Sequence, residues 1–276
     1  AGTGKTSIVK YLVQYQNHKT WSDVVYSSPT HRANAVLAQS IEGAKVQTLH
    51  KLLGLLPNTD LEDFHAKNIT FVPKKDEGLS YESLLIIDES SMITDELYDL
   101  IITTADKVES KVIFMGDPGQ LKPVGQEHQT KAFTNVDSSS QLIKVERTGD
   151  NPLLKEVTDV RNDVNPDQLS FQSSENDKGE GIQYFNNGKD FMSKLIELFT
   201  SPVFQTNRLL VRALAFTNDA VNGLNKEIRR RIYGETPAEY NVGEILMGYN
   251  AFDTDFRTGE STIINGGDYV ITAIEP

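Results

Sequence analysis

The stretch that most constrains this chain is Gly2-Thr3-Gly4-Lys5-Thr6-Ser7, which matches the second half of the phosphate-binding loop G-x-x-x-x-G-K-[ST]. Such a loop joins a β-strand to a helix, so it points the surrounding chain toward an α/β layout. Its glycines let backbone N–H groups turn toward phosphate oxygens, and the helix that follows offers its positive end. Lys5 can reach the β- and γ-phosphates of a nucleotide, and the Thr6 hydroxyl can ligate Mg²⁺. Ser7-Ile8-Val9-Lys10-Tyr11-Leu12-Val13 is apolar at helical spacing, so the same residues also suit a plain glycine-rich helix cap. The first glycine of the motif would precede Ala1, and the chain therefore reads as a fragment.

The 276 residues suffice for one large or two ordinary domains, and 38% hydrophobic with 24% charged residues is a soluble, globular composition. No apolar run approaches the roughly 20 residues of a membrane span, and no signal peptide is visible. The absence of cysteine excludes disulfides, thiol catalysis and cysteine–zinc sites, and fits an intracellular protein. The net charge of −12 argues against a broadly basic nucleic-acid face. Much of the acid, however, lies in surface-type segments such as Asp60-Leu61-Glu62-Asp63 and Ser174-Glu175-Asn176-Asp177. Single strands, moreover, are held largely by stacking and a few contacts.

Along the chain, strands alternate with helices. Asp23–Ser27 reads as a short buried strand ending in Ser28-Pro29-Thr30-His31, before a helix through Ala33–Ala38. Thr48-Leu49-His50 leads into a second apolar helix; Thr30 and Thr48 are most simply helix N-caps, with His31 and His50 ordinary polar neighbours. Residues 57–81 break the rhythm, with Asn68–Lys75 a candidate strand of a small β excursion. Leu84-Leu85-Ile86-Ile87 is a fully apolar strand with Asp88-Glu89 at its carboxyl end, where parallel sheets place ligands. That acidic pair suits Mg²⁺ binding by Asp88 and water activation by Glu89, although acids also favour the start of a helix. Lys111–Met115 is a further strand, delivering Gly116-Asp117-Pro118-Gly119-Gln120, where Gln120 can meet a γ-phosphate or the attacking water and Asp117-Pro118-Gly119 is by itself a turn. Arg147 is a candidate arginine finger or sensor.

Beyond it a helix is expected over 153–161, a mobile loop over 162–181, a helix over 190–199, a strand over 208–216 and a helix to Tyr233 capped by Thr217-Asn218. Arg229-Arg230-Arg231 reads as a solvated basic face. Thr262-Ile263-Ile264, Asn265-Gly266-Gly267 and Tyr269–Ile274 read as a β-hairpin.

Taken in order, the P-loop, Ser28-Pro29-Thr30-His31, Thr48-Leu49-His50, Ile87-Asp88-Glu89-Ser90-Ser91-Met92, Gly116–Val124 and Arg147 resemble superfamily 1B DNA helicases of the RecD and Dda type. The likeness continues through Val157–Asn162, Ala215-Phe216-Thr217-Asn218 and Asn265-Gly266, covering essentially the whole chain. It implies an α/β P-loop NTPase with two RecA-like motor domains, the first over 1–143 with a β pin inserted at 57–81, the second, incomplete, over 144–276. It further implies ATP held by Gly2, Thr3, Gly4, Lys5, Thr6 and Ser7, Mg²⁺ held by Thr6 and Asp88, and Glu89 as general base. By the same likeness Gln120 senses the γ-phosphate and Arg147 stabilises the transferring phosphoryl group. Pro29, Thr30, His31, Thr48 and His50 would line a single-strand track, matched by Thr217 and Asn218 on the second motor, with Phe71 a strand-separating wedge.

The implied partners are single-stranded DNA, the duplex fork, and single-strand-binding or replication and recombination proteins, in the cytoplasm or a viral host's cytoplasm. The family moves 5′ to 3′. Its N-terminal adenine-recognising region and its last motifs have no counterpart here, so the 276-residue polypeptide is not expected to unwind duplex by itself. Two other readings fit parts of the pattern: a P-loop ATPase or kinase that ignores nucleic acid, and a nucleotide-gated DNA-binding module without turnover.

Overall fold

A computed structural model describes residues 3–16, 21–55, 78–123, 125–143, 152–161, 172–248, 252–253, 261–263 and 267–275. The chain divides into two compact units, 1–150 with 248–267, and 151–247 with 268–276. In the first unit α1 (Lys5–Gln16), β1 (Val24–Ser27), α2 (His31–Ser40), β2 (Lys45–Val46) and α3 (Leu49–Leu53) come first. They are followed by β3 (Leu84–Ile87), α4 (Asp95–Lys107), β4 (Lys111–Phe114) and α5 (Lys131–Thr134). The second unit holds α6 (Leu153–Arg161), β5 (Ser174–Glu175), β6 (Gly181–Ile182), α7 (Gly188–Thr200), α8 (Pro202–Thr206), α9 (Asn218–Tyr233) and β7 (Ile245–Met247). The pair β8 (Phe252–Asp253) and β9 (Ser261–Ile263) returns to the first unit, and β10 (Asp268–Val270) to the second.

The first unit is built on a parallel sheet in the order β2-β1-β3-β4. Successive strand residues face opposite sides, and both sides of this sheet are covered, which is why β3 is apolar throughout rather than alternating. Leu85 and Ile87 join Val25, three leucines of α3 and Leu97, Tyr98 and Ile101 of α4 in one core. Leu84 and Ile86 join Tyr26, Val9 of α1, Leu37 of α2, Ile41 and Met115 in the other. The result is the three-layer α/β arrangement of a P-loop NTPase. At the starting edge of β3 and β4 a serine cluster closes the sheet: the Ser83 N–H donates to Ser110 Oγ at 3.0 Å, and both hydroxyls donate to the Ser80 carbonyl. Helix α4 begins at Thr94, whose hydroxyl accepts from the Leu97 N–H, with Asp95 and Glu96 in its first turn.

In the second unit several expectations change. Residues 208–216 do not form a strand. Asn207 folds Arg208–Leu210 into a 3₁₀ turn, its side chain accepting from the Leu209 N–H, and 211–216 finds no ladder partner among the described residues. The segment 162–181, expected to be a mobile loop, contains ordered structure where it is described. Strands β5 and β6 pair across a turn organised by Asn176, whose Oδ1 accepts from the Lys178 and Glu180 N–H groups. The Thr262–Ile274 hairpin is replaced by two other pairings: β9 pairs with β8, just before it in the chain, and β10, which holds Tyr269, pairs with the more distant β7.

The basic face at the end of α9 is tied down. Arg229 binds Glu244 and the carbonyls of Ala238 and Glu239, Arg230 binds Glu227 and Glu235, and Arg231 binds Glu227. No helix among the described residues is long and apolar enough to cross a membrane.

Candidate nucleotide-binding site

The site begins with strand ends that lie level. Ser27, Ile87 and Phe114 are register partners across β1, β3 and β4, so the loops that follow all leave the sheet at one edge. Backbone hydrogen bonds carry the contact one step further. The Asp88 N–H donates to the Ser27 carbonyl at 2.9 Å, the Met115 N–H to Ile87 at 2.7 Å, and the Ser90 N–H to Met115 at 2.8 Å. The turn after β3 is therefore fastened to both neighbours before any side chain is considered.

Helix α1 is seated by Val9, buried in the core shared with Tyr26, Ile86 and Met115. Gly4 precedes it at φ +81°, a conformation that disfavours any residue with a Cβ, and its carbonyl accepts from the Ile8 N–H at 3.1 Å to open the helix. Lys5, Thr6 and Ser7 form the first turn.

Glu89 occupies the left-handed region at φ 54° and ψ 38°, unusual for a residue other than glycine or asparagine. Its N–H donates to Asp88 Oδ1 at 2.9 Å, and the Ser90 hydroxyl holds the Ile87 carbonyl at 2.9 Å. Burial raises the Glu89 carboxyl above its ordinary pKa; the negative charge of Asp88 adds to the rise, Lys5 opposes it, and Asp117 contributes further. Lys5, Asp88 and Asp117 thus lie within electrostatic reach of the Glu89 carboxylate. Asp117 is buried, and its carboxylate accepts from the Gly119 N–H at 3.1 Å while its carbonyl accepts from the Gln120 N–H at 3.0 Å. The turn expected from Asp117-Pro118-Gly119 is present, but the acid inside it also bears on Glu89. An acidic residue three places beyond β4 was the available signal.

Gln120 extends from that turn. The Ser91 hydroxyl donates to its Oε1 at 3.2 Å, and Gln129 Nε2 holds the Pro118 carbonyl at 2.8 Å. Gly116 admits the close packing: a Cβ there would stand 2.5 Å from the Phe133 ring and 3.1 Å from the Ser91 nitrogen.

The structure therefore brings Lys5, Asp88, Glu89 and Gln120 to one edge of one sheet. Gly2, Phe71 and Arg147 lie outside the described residues. Pro29 is buried after β1, His31 and His50 stand in the first turns of α2 and α3, and Thr217 and Asn218 belong to the second unit. All three threonines are N-caps: Thr30 accepts from the Ala33 N–H, Thr48 from Lys51 and Thr217 from Ala220, each at 3.2 Å. Among the described residues no group of three or more His, Asp or Glu side chains forms a metal cage, and Asp88 Oδ2 makes no hydrogen bond.

Residues 1–177 match the protein family described as AAA domain. The chain belongs to that family. This AAA domain protein is 28% identical over 280 residues to the ATP-dependent DNA helicase dda of Enterobacteria phage T4, an alignment covering 98% of this chain and 60% of that protein. It is 26% identical over 276 residues to the uncharacterized protein R530 of Acanthamoeba polyphaga mimivirus, covering 91% of this chain and 55% of the relative. With the RecBCD enzyme subunit RecD of Buchnera aphidicola it shares 26% identity over 176 residues, 57% of this chain and 27% of that subunit. The AAA domain chain thus spans less than two thirds of the length of each of these relatives.

Proposed function

We propose that this chain carries the ATP-hydrolysing site of a DNA helicase that moves 5′ to 3′ along single-stranded DNA and opens duplex ahead of it. The observation that carries the reading is the meeting of Lys5, Asp88 and Glu89 at the edge where β1, β3 and β4 end level. Relatives named as an ATP-dependent DNA helicase and as RecD supply the substrate class. Lys5 and the N–H groups around Gly4 bind the β- and γ-phosphates. Glu89 accepts the proton of a water whose oxygen attacks the γ-phosphorus; the bond to the bridging oxygen breaks, leaving ADP and phosphate. Gln120 orients on the γ-phosphate, and Arg147 stabilises the charge that develops there.

Thr6 and Asp88 would hold Mg²⁺, which would offset the charge of the β- and γ-phosphates. The donor set suits it. Mg²⁺ uses one or two carboxylates and takes its other ligands from water and phosphate, and Asp88 has one carboxylate oxygen uncommitted. The first unit acts as one motor domain and the second as part of another; Pro29, Thr30, His31, Thr48 and His50 on the first, and Thr217 and Asn218 on the second, are the DNA-contacting residues of each. Phe71, in the insertion 57–81 whose residues up to 77 lie outside the described residues, would act on the duplex as a wedge.

The test is steady-state ATP hydrolysis with and without single-stranded DNA, beside Glu89→Gln. Strong stimulation that the substitution abolishes supports the motor. Equal hydrolysis in both conditions points to a P-loop enzyme that does not act on nucleic acid, and removes the track residues with it.

A further inference from the structure

Ser91 has one described side-chain hydrogen-bond partner, the Oε1 of Gln120, and that bond crosses between the turn after β3 and the turn after β4. Ser91 is buried, whereas Gln120 is exposed. The Gln120 side chain is held at its oxygen end, and among the described residues its Nε2 meets no acceptor. An unrestrained glutamine amide can turn either its acceptor or its donor end toward a ligand, and only the donor end favours a phosphate oxygen. A donor fixed under Oε1 removes that ambiguity. The same 3₁₀ turn, Ser90–Met92, starts at Glu89, so the residue that holds the amide sits two positions from the carboxylate beside Lys5.

We propose that Ser91 is a positioning residue that presents the Nε2 of Gln120 to the terminal phosphoryl group of the nucleotide and so distinguishes triphosphate from diphosphate. This rests on the assignment of Gln120 as the γ-phosphate contact. Ser91 touches no nucleotide atom in this scheme and acts wholly through the amide. The backbone nitrogen of Ser91 lies close under Gly116, which keeps the two turns in step.

The experiment is equilibrium binding of Mg–ADP and of a non-hydrolysable Mg–ATP analogue to the full 276-residue chain, comparing wild type, Ser91→Ala, Ser91→Thr, Gln120→Ala and the double variant Ser91→Ala/Gln120→Ala. Gln120→Ala is expected to lower the triphosphate-to-diphosphate affinity ratio roughly tenfold, the size of one hydrogen bond to a charged group. Ser91→Ala lowers it several-fold in the same direction, Ser91→Thr restores it, and the double variant is no worse than Gln120→Ala. ADP affinity stays constant throughout, which a merely structural role for the hydroxyl would not produce.

An unchanged ratio in Ser91→Ala beside a lowered one in Gln120→Ala overturns the role of Ser91 and leaves the nucleotide site standing. Multiplying effects in the double variant overturn it equally. An unchanged ratio in Gln120→Ala with ADP still bound removes the γ-phosphate contact itself, and the proposal with it. Failure of wild type to bind either nucleotide overturns the site as a whole.

Discussion

The Ser90 N–H donates to the Met115 carbonyl at 2.8 Å, which ties the turn opened by Glu89 to the residue that ends the neighbouring strand path. That tie, with Asp88 fixed on Ser27, holds Glu89 in a left-handed conformation that costs a non-glycine residue on the order of 1 kcal/mol. Glu89→Gly is therefore expected to raise the unfolding free energy by about 1 kcal/mol while removing ATP hydrolysis. Denaturant unfolding and a phosphate-release assay on the same preparation check both halves; a destabilised Glu89→Gly would show that the conformation is not strained.

Glu89→Gln keeps the shape and removes the proton acceptor. Hydrolysis should fall by roughly 10²- to 10⁴-fold, the usual contribution of a general base, with ATP still bound. Single-turnover kinetics beside equilibrium nucleotide binding separates the two effects.

Gly116→Ala places a methyl against the Phe133 ring and the Ser91 nitrogen, where no space exists. Overpacking of this kind costs about 1–3 kcal/mol. Phe133→Leu in the same chain should recover part of the loss, because the ring is the nearer obstacle, and thermal melts of the single and double variants report it.

Thr30 is assigned two tasks: capping α2, which is seen, and touching DNA, which is proposed. Thr30→Ala should cost about 1 kcal/mol of stability through the cap alone. Thr30→Asp keeps a good cap but brings a negative charge to the strand track. Its melting temperature should stay near wild type while affinity for fluorescent single-stranded DNA drops. Unchanged DNA affinity in Thr30→Asp would leave Thr30 with the cap alone.

Glu227 is held at a pKa of about 2 by hydrogen bonds from Arg230 and Arg231, against an ordinary 4.5. A carboxyl depressed on folding contributes stability above its unfolded pKa and loses it as pH falls toward the folded value. The melting-temperature gap between wild type and Glu227→Gln should thus be full near pH 6 and shrink between about pH 4.5 and pH 2.

What the residues disclosed in advance was whatever local chemistry determines. Leu84–Ile87 is the length and composition of a strand buried on both faces, and it is a strand with those bounds; Thr217 announces α9, and Leu153–Arg161 is helical as read. What stayed hidden depended on distant partners. Val211–Phe216 has the composition of a strand but no neighbour among the described residues to pair with, and strands exist only in pairs. Asn265-Gly266-Gly267 signals a tight turn, yet the strands on either side bond to β8 and β7 instead of each other. In the candidate site, the order of the motifs located Lys5, Asp88, Glu89 and Gln120. Nothing in Asp88-Glu89-Ser90 marks a left-handed backbone, and Ser91 gains its meaning only when two turns, whose bonded residues lie 29 apart in the chain, are laid side by side.

Strand β3, apolar on both faces, carries one liability. In a half-exposed strand, a slip of one residue would turn oily side chains into water and be rejected. Here Leu84 and Ile86 could exchange sides with Leu85 and Ile87 and still be dry, so hydrophobicity does not choose the phase. The choice falls to polar punctuation at the two ends, the Ser80–Ser83–Ser110 knot where the strand enters and the Asp88–Ser27 bond where it leaves. Those few hydrogen bonds work as an index mark: they decide which residue emerges at the rim, and hence that the rim receives an acid.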